Sequence, residues 1–182
     1  MPLDYVISEH LTAWTAATPL HRGVAYVLAE LLLLAYPLVL YVLWQQPESR
    51  GHFHVARKAV MMALMSVVIG LAIISGLGLI WSRPRPFVTH PQLPHMLFNL
   101  DPPSFPSAHA LMAMAIGVSL YYSGYRRLGW VLMAGALLIA LGQTLAGVHY
   151  ASDVAGGLMT GTAVAWYMHR EASGIRKYLP NR

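Results

Sequence analysis

Five stretches of this chain are almost wholly apolar, and polar residues collect in the gaps between them. Residues 24–44 hold one acid, Glu30, and one proline, Pro37, in an otherwise apolar run. At about 1.5 Å of rise per residue, a helix of that length covers roughly 30 Å, the thickness of a bilayer's hydrocarbon. Runs at 59–81, 107–122, 128–145 and 153–168 repeat the pattern and predict five spanning helices in all. Ahead of them, Leu3, Ile7, Leu11 and Trp14 recur at helical spacing, while Asp4, Ser8, Glu9 and Thr12 fall elsewhere on the wheel. That periodicity predicts a short helix lying in the membrane interface. Its start lacks the positive charge of a signal peptide. The expected architecture is one all-α domain over residues 1–182: an integral membrane helical bundle of five transmembrane helices plus an N-terminal interfacial helix. Gly157 and Gly161 in the last run predict a close-packing face.

Composition supports lipid as the solvent. The chain is 57% hydrophobic and 10% charged, against about 25% charged in a soluble domain. It has no cysteine, which removes disulfides, thiolate chemistry and cysteine metal sites. A net charge of +5 would suggest nucleic acid in a soluble protein, but here the basic residues stand at segment ends, and no nucleic acid partner is expected. Nine of the twelve basic residues fall on one side of the five-span layout, in 45–58, 124–127 and the tail from His169; Arg22, Arg83 and Arg85 fall on the other. The positive-inside rule places the nine-residue side in the cytoplasm. The N-terminus, the 82–106 loop and His149 then face outward.

The residues able to do chemistry gather on that outward face. His149 and Asp153 are four apart where the fifth run begins. On a helix they share a face, and a carboxylate holding one imidazole nitrogen leaves the other basic and aimed, as a base or a nucleophile. Arg83 and Arg85 follow the second run in Arg83-Pro84-Arg85-Pro86. Arginine forks bind phosphate, and proline keeps the backbone extended; alone, such arginines serve equally well as headgroup anchors. Ser107-Ala108-His109 opens the third run, where free helix N–H groups make an anion site. Ser107 suits an N-cap or a hydroxyl donor, and His109 is placed to protonate a leaving oxygen. Glu30, an acid about two turns inside its span, is a functional suspect by default or the partner of a nearby cation. His90 and His95 are five apart in the outward loop and form the one pair of histidines there to weigh against metal-free chemistry.

Together, Arg85-Pro86, Pro106-Ser107-Ala108-His109 and His149-x-x-x-Asp153 resemble the three motifs of the type 2 phosphatidic acid phosphatase family, in order and on the right loops. The five-span layout, Arg83-Pro84-Arg85-Pro86-Phe87-Val88 and Ser104-Phe105-Pro106-Ser107 look most like its bacitracin-resistance branch, the undecaprenyl pyrophosphate phosphatases. The resemblance implies a helical fold and a mechanism without metal or cofactor. It implies that His149 attacks the terminal phosphorus and carries a phosphohistidine, that Asp153 orients it, and that His109 protonates the departing lipid phosphate. It implies further that Arg85, Ser107 and the amides near Ala108 hold the phosphoryl oxygens. Two cations of the family pattern are absent: Gly78 stands where a lysine is common, and Gln143, in the phosphate-binding position of the third motif, where an arginine is common. Arg83 is expected to make up part of that charge beside Arg85.

The resulting expectation is a lipid diphosphatase of the bacterial plasma (inner) membrane, facing the periplasm or cell exterior, with a polyprenyl diphosphate and the bilayer as partners. Two other readings remain: a phosphatase of phosphatidate or phosphatidylglycerol phosphate, and an inactive relative that binds anionic lipid. A substrate panel separates the first two, and phosphate release by purified protein separates both from the third.

Overall fold

The computed structural model describes residues 3–46, 53–93 and 103–176, with side chains described for all of these except 53–54 and 173–176. His95, Asp101 and Arg50 lie outside the described residues. Every regular element described is helical. We label them α1 (Leu3–Ala17), α2 (Pro19–Trp44), α3 (Phe53–Ile80), the short α4 (Pro86–Thr89), α5 (Ala108–Tyr122), α6 (Arg126–Leu145) and α7 (Ala151–Arg176).

Three helices, Pro19–Trp44, Val55–Ile80 and Arg126–Leu145, are long and apolar enough to cross a membrane. Their outer surfaces carry Leu34, Leu38, Val68, Leu79, Ile80, Val131 and Leu137, all exposed. Water tolerates apolar patches of that extent poorly, and lipid does not. The protein is membrane-integral.

The short α5 stands at the centre, packed against α3, α6 and α7. It is buried on every side from Ala113 to Leu120. In lipid, helices gain little from hiding apolar surface and associate through close packing and interhelical hydrogen bonds. Both are present. A Cβ on Gly161 of α7 would sit 2.5 Å from the Leu111 carbonyl, and one on Gly157 would collide with that of Ser107. This is the face expected from Gly157 and Gly161. Ser119 Oγ donates to Ser66 Oγ at 3.1 Å, joining α5 to α3. The Tyr36 hydroxyl donates to the Leu132 carbonyl at 2.6 Å, joining α2 to α6. Such bonds contribute roughly 0.6 kcal/mol each.

α2 begins earlier than its apolar run. Thr18 caps it, accepting from the His21 N–H at 3.2 Å, and Pro19 takes the first turn, where a missing N–H costs nothing. Its middle is irregular: a π turn at Val27–Leu31 is followed by a 3₁₀ turn at Leu32–Leu34. Pro37 lies just beyond and cannot donate to a preceding carbonyl. Gly142 of α6 abuts the π turn, and a Cβ there would fall 2.5 Å from Ala29 N.

In α1 the buried face is Tyr5, Ser8, Thr12 and Thr15. Leu3 and Trp14, from the apolar stripe, are exposed. The two threonine hydroxyls can face the bundle because they bond their own backbone, Thr12 Oγ1 to the Ser8 carbonyl at 2.8 Å and Thr15 Oγ1 to the Leu11 carbonyl at 3.2 Å, while Ser8 Oγ is buried without a partner among the described residues.

Candidate active site

Three loops meet at one end of the bundle: the one after α3, the one before α5, and the α6–α7 connection. Backbone bonds lock them together. The Ser104 N–H donates to the Arg83 carbonyl at 2.8 Å, and the Ser107 N–H to the Asp153 carbonyl at 3.0 Å. Val148 and His149 both donate to the Gln143 carbonyl, at 3.2 and 3.4 Å. Three sequence-distant motifs thereby share one rigid frame.

His149 is buried in that frame. Its Nδ1 lies 2.7 Å from the Ser104 carbonyl oxygen. A carbonyl only accepts, so Nδ1 carries the proton and Nε2 is left unprotonated, with a lone pair that can accept. This corrects the expected contact. Asp153 Oδ2 lies 3.8 Å from Nδ1, beyond hydrogen-bond reach. The reason is local: α7 begins at Ala151, so His149 precedes the helix and the i, i+4 geometry does not apply. Oδ2 instead accepts from the Tyr150 N–H at 2.9 Å and the Ser104 hydroxyl at 2.5 Å. Ser104 thus joins the pair, with its carbonyl on the imidazole and its hydroxyl on the carboxylate. Burial pushes the His149 imidazole below its ordinary value, and the Arg85 charge pushes the same way, against the opposing pull of Asp153 and the Ser104 carbonyl.

The two arginines separate. Arg85 is buried, donates from Nη1 to the Val148 carbonyl at 3.2 Å, and brings Nη1 within 3.4 Å of His149 Nε2. Arg83 turns away. Its Nη1 donates to Ser152 Oγ and to Asp153 Oδ1, both at 2.6 Å, and its Nη2 to Asp4 Oδ2 at 3.0 Å. The guanidinium also lies 4.1 Å from the centre of the Tyr150 ring. The expectation that both forks reach one phosphate does not match this geometry. The extended Arg-Pro-Arg-Pro segment ends at Arg85, which caps α4, and two carboxylates claim the Arg83 donors. Burial alone would raise the Asp4 carboxyl, but hydrogen bonds from Ser152 and Arg83 outweigh it and hold it below its ordinary value.

A cavity of about 490 Å³ opens beside His149 Nε2, lined by Arg85, Ala108, His109, Glu30 and Gln143 among others, with Leu71, Ile74 and Leu79 of α3 forming an apolar wall. Ala108 presents the N-terminus of α5 to it. Ser107 occupies the N-cap position, but its side chain makes no capping bond. Its Oγ is buried without a partner among the described residues. Gln143 Nε2 donates to the Ala29 carbonyl at 2.9 Å, so this amide is committed to the α2 backbone where relatives of the pattern carry a cation. A side chain at Gly78 would meet Pro103, whose Cγ lies 2.8 Å from the ideal Cβ position. Glu30 Oε1 lies 3.7 Å from His109 Nε2.

Asp4, Ser104, Tyr150 and Ser152 were not legible as site residues, although Ser104 stands inside one of the matching stretches. Among the described residues, no group of three or more His, Cys, Asp or Glu converges as a metal site would require. Another cavity, of about 570 Å³, lies at the opposite end of the bundle against Lys58, Tyr122, Trp166 and His169, and holds none of the expected site residues.

The arrangement suits transfer of a phosphoryl group: a neutral imidazole nitrogen faces a cavity beside a guanidinium, helix N–H groups and a second histidine. Comparison with known proteins agrees. The chain is 29% identical over 177 residues to the undecaprenyl-diphosphatase BcrC of Bacillus subtilis (strain 168), covering 97% of this chain and 88% of that one. It is 28% identical over 145 residues to the bacitracin transport permease protein BcrC of Bacillus licheniformis, covering 80% and 68%. Its fold resembles that of Aquifex aeolicus LpxE, with a TM-score of 0.70 at 22% identity over 93% of this chain and 96% of that one. The family model described as the PAP2 superfamily matches residues 59–175, which contain the site loops after α3, before α5 and between α6 and α7, and the chain belongs to that superfamily.

Proposed function

We propose that this protein is a membrane lipid diphosphatase that converts undecaprenyl pyrophosphate to undecaprenyl phosphate through a phosphohistidine. The observation that carries this reading is His149, with Nδ1 held at 2.7 Å by the Ser104 carbonyl and Nε2 presented 3.4 Å from Arg85 at the cavity. His149 Nε2 attacks the terminal phosphorus, and the bond to the bridging oxygen breaks. His109 gives that oxygen a proton. A water then attacks the phosphorus, returns a proton to His109 and releases phosphate as the P–N bond breaks. Arg85, the Ser107 hydroxyl and the Ala108 N–H hold the phosphoryl oxygens, where charge spreads in the transition state. The apolar wall from α3 suits a polyprenyl chain entering from the bilayer. The name of the Bacillus subtilis relative supports the substrate. In this reading five helices, α2, α3, the short α5, α6 and α7, cross the membrane. α1 lies in the interface with its apolar stripe toward lipid, and the site faces outward from the cytoplasm.

Purified protein tested on a panel of undecaprenyl pyrophosphate, phosphatidate and phosphatidylglycerol phosphate, with and without chelator, is the deciding experiment. We expect fastest phosphate release from the diphosphate, undiminished by chelator, and loss of nearly all turnover in His149→Ala. Preference for phosphatidate would move the substrate class. The absence of side-chain cations at Gly78 and Gln143 favours one rival, an inactive binder of anionic lipid; phosphate release from no member of the panel would exclude both enzyme readings in its favour.

A further inference from the structure

A carboxylate inside a cavity built for an anion repels the substrate unless its charge serves something. Glu30 is such a group, lining the same cavity as Arg85 and His149. Its Oε1 stands 3.7 Å from His109 Nε2, and His109 faces the cavity from the first turn of α5. Among the described residues, the charged and titratable groups around His109 are thus Glu30 from α2, Arg85 from the loop after α3, and His149 from the loop before α7. Only Glu30 among them is an acid.

The backbone that carries Glu30 is itself unusual. It is the π turn of α2, Val27–Leu31, and π turns inside α-helices gather at functional sites. Two consecutive residues of α6 fix that turn. Gly142 lets the two backbones meet, and Gln143 Nε2 donates to the carbonyl of Ala29, the residue before Glu30.

We infer that Glu30 is a positioning residue for His109, and that Gln143 acts one step further back by pinning the turn that carries Glu30. The carboxylate holds the His109 imidazole turned toward the leaving oxygen and balances its charge while it carries the proton. This rests on the phosphatase reading above. As the bond from His149 Nε2 to phosphorus forms, the bridging P–O bond breaks. The electron pair left on that oxygen takes the proton from His109, which becomes neutral, while Glu30 remains a carboxylate throughout. In the second step the attacking water gives its proton back to His109. Gln143, where the family pattern has a phosphate-binding cation, would then serve the acid rather than the phosphate.

Leaving-group dependence tests this. Purified Glu30→Gln is assayed on undecaprenyl pyrophosphate and on p-nitrophenyl phosphate, whose nitrophenolate leaves without needing a proton. Misplacing a reacting group by about 1 Å costs on the order of 10²-fold. We expect kcat on the lipid diphosphate to fall by about tenfold to a hundredfold, while turnover of the aryl phosphate changes by less than about threefold. Inorganic phosphate should inhibit Glu30→Gln more tightly than the parent, because a negative charge has left the cavity. Glu30→Asp should recover part of the lost kcat. Gln143→Leu, which removes the pin and keeps Glu30, should reproduce the same substrate split. Equal losses on both substrates, or weaker phosphate inhibition in either variant, would overturn the inference. A parent protein that releases phosphate from neither substrate would defeat the phosphatase reading instead.

Discussion

Arg83 and Asp153 meet at 2.6 Å, and the contact falls on Oδ1, the carboxylate oxygen that neither Ser104 nor Tyr150 uses. The same guanidinium reaches Asp4 of α1 at 3.0 Å. Arg83 therefore ties the fully buried Asp153 to the N-terminal helix and braces the acid beside His149 from behind. Removing one partner of a buried pair is far more costly than the pair's net worth. Arg83→Ala should lower the melting temperature and reduce kcat by roughly 10²-fold, the scale of a displaced catalytic group. Inhibition by inorganic phosphate should stay within about threefold of the parent. Phosphate inhibition weakened tenfold or more would return Arg83 to the phosphate.

Asp153→Asn is expected to be milder than the equivalent change in a catalytic triad. Where a carboxylate alone sets the tautomer of the histidine, its loss costs about 10⁴ in kcat. Here the Ser104 carbonyl holds Nδ1–H at 2.7 Å and survives the substitution. A loss of about 10²-fold is expected from weaker support of the imidazolium and the loop. Ser104→Ala keeps the carbonyl and should lose less still. Steady-state kinetics on both variants checks the order, and a loss near 10⁴ in Asp153→Asn would show that the carboxylate fixes the tautomer after all.

The acid side of the pH profile follows from burial. The nucleophile must be neutral, and burial, assisted by Arg85, holds the His149 pKa below its ordinary value of 6.5. A depressed pKa keeps the neutral form present to lower pH. The acid limb of kcat/KM should accordingly fall below pH 6.5, and stability should decline as pH drops below that value, because the unfolded chain binds the proton more readily. A limb centred above 6.5 that vanishes in no other variant would contradict the neutral, buried His149.

Sidedness is open to a direct test, because the chain has no cysteine of its own. Pro91, exposed in the turn after α4, is a suitable position. Pro91→Cys should react with an impermeant thiol reagent on intact cells. Reaction only after lysis would place the site loops in the cytoplasm.

Much of this protein was legible in one dimension. Apolar runs report solvent preference directly, so the long helices, their order and the loops between them followed from residues such as Leu71, Ile74 and Leu79 lying in unbroken apolar sequence. Gly157 and Gly161 announced a tight contact because only small residues permit one. That His149, His109 and Arg85 line one cavity was legible because each stands at the end of an apolar run, where polar side chains need a reason to be. What sequence spacing could not reveal is which partner each polar atom takes. His149 and Asp153 are four residues apart, yet the helix starts between them, so the imidazole turns to a carbonyl 45 residues upstream. Arg83 and Arg85 are two apart, yet one faces the cavity and the other faces Asp4 and Asp153. Glu30, carried on the π turn of α2 whose Ala29 carbonyl accepts from Gln143, stands 3.7 Å from His109, a residue far along the chain. Apolar pattern sets where a segment lies, because burial in lipid is nondirectional and additive along the chain. Hydrogen bonds are short-ranged and directional, so their partners were decided only when the loops of separate helices came together in three dimensions.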